Sequence, residues 1–359
     1  MPTSAHRPPS PPLATPYAGL TPDVVLDALD AVGLRGDGRM LLLNSYENRV
    51  FQVFLEDGRV IVAKFYRPGR WSDEQILEEH QYAADLQADE IPVVAPLVLE
   101  RDDASPLAPA LRLRGEPPTL ACIEAGTGQI HRFAIAPRRA GRAPPLEDPV
   151  NLEWIGRFIA RMHLVGARMP FLHRPTLSVE SVGRAARDWI CEHGDLPPDL
   201  RPLWQDAADR ALDLAQAAFE EAGDLPLLRV HGDCHVGNVL WTDAGPHFVD
   251  LDDAVNAPAV QDLWMLLSGD RQESAAQIRA LLEGYEAFRP FDDRQLSLVE
   301  PLRTLRIIHH SAWIARRWKD PAFPAAFPWF GTPAYWQQQV QCSYQTNCRH
   351  AGRPGCQCP

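Results

Sequence analysis

The chain changes its hydrophobic period once, and that change limits what it can fold into. Between Met40 and Phe65, in MLLLNSYENRVFQVFLEDGRVIVAKF, apolar and polar residues tend to alternate, the spacing of strands with one face toward a core. From Leu152 onward, with Ile155, Phe158, Ile159 and Met162 on one stripe, the apolar residues recur as they do on an amphipathic helix. A chain that is strand-rich first and helix-rich afterwards predicts an α+β fold with its sheet and its helices segregated.

The early segment predicts three strands, Met40–Leu43, Val50–Leu55 and Arg59–Phe65, as an antiparallel meander whose last two strands join at the turn Glu56, Asp57, Gly58. Ser72 then reads as an N-cap before acidic residues, with Ile76, Ala83 and Leu86 as a helical stripe, so one helix is expected to pack on the sheet. VVAPLVLE and TLACIEAGTGQIHRFAIAPRR predict further short strands. A long helix is expected over EDPVNLEWIGRFIARMHLVGAR, then helices near Val182–Glu192, Leu200–Ala222, Ala259–Leu267, Ala275–Phe288 and Gln295–Trp318. Between them only LLRVHGD and HFVDLD look extended. The predicted organisation is a Pro-rich tail (1–18), a small sheet lobe (19–137), a larger helical lobe (138–336) and a Cys-rich tail (337–359).

Composition removes several classes of function. Hydrophobic residues make up 45% of the 359 and charged residues 23%, enough apolar material for two cores and unlike a disordered chain. A formal net charge of −12 argues against a broad basic surface for nucleic acid or an anionic membrane, so neither is an expected partner. No run approaches the ~18 apolar residues of a membrane span, and the first residues lack a signal peptide's apolar segment. Cys122, Cys191 and Cys234 read as scattered cytosolic thiols, while Cys342, Cys348, Cys356 and Cys358 do not have a zinc-finger spacing and read as incidental residues of a frayed terminus.

The chemistry is concentrated in HGDCHVGN, residues 231–238, followed by FVDLDD at 248–253. Phosphoryl transfer needs a carboxylate to orient and deprotonate an acceptor hydroxyl, and oxygen ligands to hold Mg2+ against the phosphates of ATP. Asp233 followed by Asn238 has the spacing of a kinase catalytic loop, and Asp250 sits where a strand end would aim a second carboxylate at the same ion. The competing reading takes His231, Asp233 and His235 as a hydrolytic metal site; it leaves the first lobe without a role, and His309 and His310 bring no acidic ligand motif with them.

A kinase needs a lysine on the third strand. Lys64 is there, on one face with Val60 and Val62, and either Glu78 or Glu79 of the following helix is placed to pair with it, Glu79 lying nearer the apolar stripe. No Gly-rich loop precedes it, so Ser45, Tyr46, Glu47 and Asn48 would cover the nucleotide, through backbone N–H groups and the Ser45 hydroxyl. The adenine is expected near Phe133–Ala136, with Ile135 offering backbone hydrogen bonds. Gly232 replaces the usual Arg before the catalytic Asp, DLD replaces DFG, and no APE follows. Asp252 is a candidate metal assistant, Asp262 a cap or buttress for the loop, and His231, His235, Trp313, Trp318 and the FPWF aromatics read first as packing.

The stretches LNSYENRVFQV, VAKFYRPGRWSDEQILEEHQ, HGDCHVGNVLW, FVDLDDAVNAPAVQDLWMLLSGD and DPAFPAAFPWF resemble the aminoglycoside-phosphotransferase and choline-kinase-like superfamily, and within it a bacterial group of cytoplasmic serine/threonine protein kinases linked to envelope stress. The resemblance runs over roughly residues 17–336. It implies a two-lobed protein-kinase-like fold, ATP and Mg2+ as cofactors, Asp233 as proton acceptor, Asn238 and Asp250 as metal ligands and Lys64 on the phosphates. It also implies a protein acceptor, autophosphorylation included, and a monomer in the cytoplasm; the wider superfamily equally includes kinases of aminoglycosides, choline and homoserine. Asp252 and Asp253 beside Asp233 would favour basic or neutral acceptor sequences.

Overall fold

The computed structural model describes residues 16–124 and 128–350. It divides into two compact units. The first takes the chain up to Trp71 and again from Val98 to Ile135; the second takes Ser72–Leu97 and everything from Ala136.

In the first unit, helix α1 (Pro22–Asp30) begins where Thr21 accepts a hydrogen bond from the Val24 N–H and Pro22 fills the first turn. It buries Val25, Ala28 and Leu29. The strands β1 (Gly36–Leu42), β2 (Arg49–Leu55), β3 (Val60–Phe65), β4 (Leu111–Arg114), β5 (Leu120–Glu124) and β6 (Ile130–Pro137) form one sheet in the order β1-β2-β3-β6-β5-β4. β1 to β3 make the expected antiparallel meander. Ile61, Ala63 and Phe65 face the core, where Phe65 stacks on Phe133 at 5.2 Å; Lys64 shares the opposite, half-buried face with Val60 and Val62.

VVAPLVLE is not a strand: it makes one isolated bridge, Val93 to Phe248. Pro92 and Pro96 remove two donors that a ladder would need. The edge strand is instead the short LRLR of β4.

The second unit opens with α2 (Asp73–Ala88), whose start is a capping box of Ser72 and Gln75. There follow α3 (Pro149–Gly166), a π-helical turn Val179–Arg184 running into α4 (Ala185–His193), and α5 (Arg201–Ala222). Two small antiparallel pairs lie between helices: β7 (Leu228–Val230) with β10 (Val255–Ala257), and β8 (Val239–Thr242) with β9 (Gly245–Phe248). Of these, β8 and β10 were not legible in the sequence. The remaining helices are α6 (Gln261–Trp264), α7 (Arg271–Glu286), α8 (Val299–Arg316), α9 (Ala322–Ala326) and α10 (Pro333–His350).

Three expectations change here. The helix expected over Ala259–Leu267 shrinks to the four residues of α6, flanked on both sides by turns. The one over Gln295–Trp318 splits into a 3-10 segment, Asp293–Leu298, and α8, with Pro301 in the first turn of α8 where its missing N–H is tolerated. The Cys-rich end is helical through Cys342 and Cys348, so the boundary expected at residue 337 falls inside α10; Trp336 anchors that helix, fully buried with its ring 5.8 Å from Trp204. Cys356 and Cys358 lie outside the described residues, as does most of the Pro-rich tail. Among the described residues no helix is long and apolar enough to cross a membrane.

Two glycine contacts set where α3 lies. A Cβ on Gly156 would stand 2.0 Å from the Leu281 carbonyl oxygen, and one on Gly284 1.9 Å from that of Glu153, so α3 and α7 cross backbone to backbone. Near its end Gly166 meets the Arg229 carbonyl at 2.1 Å in the same sense, seating α3 against β7 immediately before residue 231.

Candidate active site

The loop after β7 is held from below by one buried carboxylate. Asp262 accepts the His231 N–H at Oδ2 (2.8 Å) and the Gly232 N–H at Oδ1 (2.9 Å), while Gln261 donates to the Gly232 carbonyl (2.8 Å). Burial opposes charge on Asp262, but the hydrogen bond from His163 and the His231 contacts outweigh it and keep the carboxyl below its usual range. With a proton on Nε2 toward Asp262 (3.1 Å), His163 Nδ1 accepts from the Tyr285 hydroxyl (2.9 Å), which accepts from Arg289 (3.0 Å). Asp262 is thus the buttress expected of it. Gly232 has φ +82°, and a Cβ there would lie 2.1 Å from the Asp253 carbonyl oxygen; this is why no arginine precedes Asp233.

Asn238 faces back across the loop, its Nδ2 donating to the Asp233 carbonyl (2.9 Å) and lying 3.4 Å from Asp233 Oδ2. With Nδ2 so engaged, Oδ1 is the atom through which Asn238 could hold a metal ion. The Val249 N–H donates to the Asn238 carbonyl (3.0 Å), extending the β8–β9 ladder and setting Asp250 one residue beyond Asn238's partner. Asp250 has φ +60° and ψ +68°, a left-handed conformation uncommon for a residue with a side chain and of the kind that collects at functional sites. The ladder thus sets the backbone of Asp250 beside that of Asn238, and a carboxylate and an amide oxygen are donors that suit a hard divalent cation.

Asp233 itself is gripped from the helical side. Arg306 of α8 donates to Oδ1 at 2.7 Å, and His235 Nε2 lies 3.5 Å from Oδ2. Burial disfavours its charge, yet the His235 contact and the Arg306 charge hold the carboxyl well below the ordinary carboxylate range. Nothing local in the sequence marks Arg306. Arg174 was also unforeseen: it donates to the carbonyls of Asp252 and Ala254 (2.6 Å to the latter) and of Gln75 (3.0 Å), tying the segment after Asp250 to α2. Asp252 is only 2% exposed, so of the two acids expected to attract basic acceptors only Asp253 stands at the surface.

His231, Asp233 and His235 do not gather as a metal triad. His231 Nε2 donates to the Val249 carbonyl (2.9 Å) and its Nδ1 lies 3.4 Å from the Asp233 N–H. Among the described residues no group of three His, Cys, Asp or Glu is placed to hold a metal ion.

The other candidates are placed as follows. Glu78 accepts three successive backbone N–H groups, of Leu172 (2.6 Å), His173 (2.8 Å) and Arg174 (2.8 Å), so it staples α2 and is committed; Glu79 is buried, 6% exposed. In the first unit, Lys64 Nζ lies 5.1 Å from the Tyr66 ring centre. The turn at Ser45, Tyr46 and Asn48 is organised by a residue the sequence did not single out, Arg67. Its N–H donates to Asn48 Oδ1 (3.1 Å), its Nε to the Glu47 carbonyl (3.0 Å) and its Nη2 to the Tyr46 carbonyl (3.3 Å). The Asn48 side chain is therefore a brace of the turn. Ile135 is fully buried in β6 and is the last residue of the first unit in sequence.

A profile of the phosphotransferase enzyme family (APH) matches residues 40–299. The chain is 42% identical over 324 residues to the stress response kinase A of Escherichia coli strain K12, covering 90% of this chain and 92% of that protein. It is 40% identical, over the same 90% and 92%, to the serine/threonine protein kinase RdoA of Salmonella typhimurium strain LT2. Among solved structures, the amicoumacin kinase hAmiN in complex with AMP-PNP, Ca2+ and Ami has a TM-score of 0.67 at 15% identity, over 91% of this chain and 95% of that one, a likeness of fold.

Proposed function

The chain belongs to the phosphotransferase enzyme family, and we propose that it transfers the γ-phosphoryl of ATP to serine or threonine hydroxyls of proteins, with Mg2+ as the divalent ion, acting as a cytoplasmic monomer. The observation that carries the reading is the joint placement of Asp233, Asn238 and Asp250 by one braced loop and one short ladder. The protein acceptor is supported by the names of the two bacterial relatives, which are similar to this chain along almost its whole length.

In this reading Asp233 receives the acceptor hydroxyl and orients it for in-line attack. Its depressed pKa suits positioning: a loose phosphoryl-transfer transition state asks for little base strength, and the proton passes to the carboxylate late. Asn238 Oδ1 and Asp250 would hold Mg2+, which supplies charge neutralisation of the β and γ phosphate oxygens. Lys64, with Glu79 as its partner, would bind the α and β phosphates, the backbone of Ser45 and Tyr46 would cover them, and Ile135 would offer main-chain groups to the adenine. Asp262 is a positioning residue, acting only through the loop backbone.

The test is incubation of the full chain with γ-labelled ATP and Mg2+, with protein substrates in one arm and choline, homoserine or an aminoglycoside in the other, followed by phosphoamino-acid analysis. Acid-stable label on Ser or Thr is the expected result. Efficient ATP consumption on a small hydroxyl compound with no protein-bound label would move the chain to the small-molecule branch of its family.

A further inference from the structure

Beside Asp233 lies a pocket of about 430 Å³ lined by His235, Trp264, Met265, Arg303, Arg306, Ile307 and His310. Arg303, Arg306, Ile307 and His310 fall on one face of α8 at the i, i+3, i+4, i+7 spacing, and α6 with the residue after it supplies the aromatic and thioether wall. The arginines are poorly spent. Among the described residues Arg306 makes a single hydrogen bond, to Asp233 Oδ1. Arg303 makes none: its buried Nε has no hydrogen-bond partner and is ion-paired with Glu300 of the same helix at 3.7 Å, and its guanidinium lies 5.9 Å from the Trp264 ring centre. His310 is stacked on Trp313 at 5.5 Å; burial, with the charge of Arg306 adding to it, pushes its pKa down to about 4, so it lines the pocket as a neutral ring. The positive charge there belongs to the two arginines.

A buried guanidinium Nε without a hydrogen bond, as on Arg303, is a costly arrangement unless an anion with several oxygens completes it, and the exposed Arg306 beside it has further donors to offer the same anion. The place of the two arginines beside Asp233 identifies which anion. The pocket adjoins both oxygens of Asp233, Arg306 at Oδ1 and His235 at Oδ2, and so lies against the residue read as receiving the acceptor hydroxyl.

We propose that this pocket, with Arg303 and Arg306, is an acceptor subsite for a carboxylate, and that the enzyme selects serine or threonine with an acidic residue close by. The proposal rests on the protein-kinase reading above and reverses the basic preference expected from Asp252 and Asp253. Consecutive Cα atoms are ~3.8 Å apart, so an acidic side chain one or two residues from the acceptor reaches Arg306 while the hydroxyl lies on Asp233. Its arrival would also draw Arg306 off the base that it holds in the unliganded chain.

The experiment measures KM and kcat of the full chain with MgATP on matched serine peptides flanked by Glu, Ala or Arg. A KM about tenfold or more lower for the Glu peptide is expected, as for a charge-assisted fork contact. Arg303→Gln should erase most of that advantage and change the KM of the Ala peptide by less than about twofold. Arg303→Lys, which keeps the charge and loses the fork, should retain only part of it and serves should the Gln variant fail to fold. Equal KM values for the Glu and Ala peptides, or a lower one for the Arg peptide, would overturn the subsite and leave the protein-kinase reading standing. Phosphorylation of choline or an aminoglycoside, which carry no carboxylate, with no peptide phosphorylated would overturn both.

Discussion

Asp233 carries the most direct prediction at the scale of single residues. Its backbone carbonyl, not its side chain, receives the 2.9 Å bond from Asn238, so Asp233→Asn keeps the loop's brace while removing the proton acceptor. Turnover should fall by ~10²-fold or more with ATP affinity nearly intact. Steady-state kinetics with a nucleotide-binding titration check this, and near-normal turnover would take Asp233 out of the role. Lys64 carries a second. Of the 35 Lys and Arg residues only Lys64 and Lys319 are lysine, so a chain that uses arginine almost everywhere keeps the compact ammonium at this strand position. An amine-reactive acyl label has few targets here. MgATP should protect one lysine, which peptide mapping should place at Lys64; protection at Lys319 alone, or at neither, counts against Lys64 as the phosphate contact. The loop residues were legible because their spacing is local. Arg306, 73 positions from Asp233, was not: it sits on a helix face indistinguishable in sequence from a solvated one.

Among the elements, the α3–α7 crossing fixes the frame on which the loop rests, since α3 supplies His163 and α7 Tyr285 to the chain of hydrogen bonds that ends on Asp262. Sequence periodicity found both helices but passed over Gly156 and Gly284, because a glycine within a helical pattern reads as a weak spot rather than as a contact. At a crossing this close the missing Cβ is what permits the approach. Gly156→Ala and Gly284→Ala should each destabilise the chain by ~1–3 kcal/mol or more, against the small gain that alanine brings to an open helix. The double variant should cost less than the sum, since one widening of the crossing relieves both clashes. Urea unfolding of the four proteins measures this, and an alanine that is neutral or stabilising at either site would contradict the crossing. Elsewhere the misses have local causes: α1 is short, β4 is four residues long, and VVAPLVLE looked extended because its prolines favour an extended backbone while denying it a ladder.

For the molecule as a whole, periodicity located the change from sheet to helices but put the division in one place, near residue 137, when the chain crosses between its units more than once. The reason is α2. It stands between strands of the first unit in sequence and belongs to the second: Tyr82 is fully buried and donates to the Arg229 carbonyl (2.9 Å), Asp85 pairs with Arg229 (2.9 Å), and Glu78 holds the N–H groups of residues 172–174. None of these partnerships is visible from the helix's own stripe of Ile76, Ala83 and Leu86, which specifies a face and not an owner. A fragment of residues 19–137 would therefore keep α2 and lose the partners of its buried face. Exposing side chains such as Ile76, Tyr82 and Leu86 costs ~1.5–3 kcal/mol apiece, a total comparable with the ~5–15 kcal/mol that stabilises a whole domain. The fragment should show helix and strand in far-UV circular dichroism but weak near-UV bands, dye-accessible apolar surface and no sharp thermal transition. A cooperative melt with native-like near-UV bands would mean that α2 completes the sheet unit by itself, and that the division legible in the sequence was the physical one.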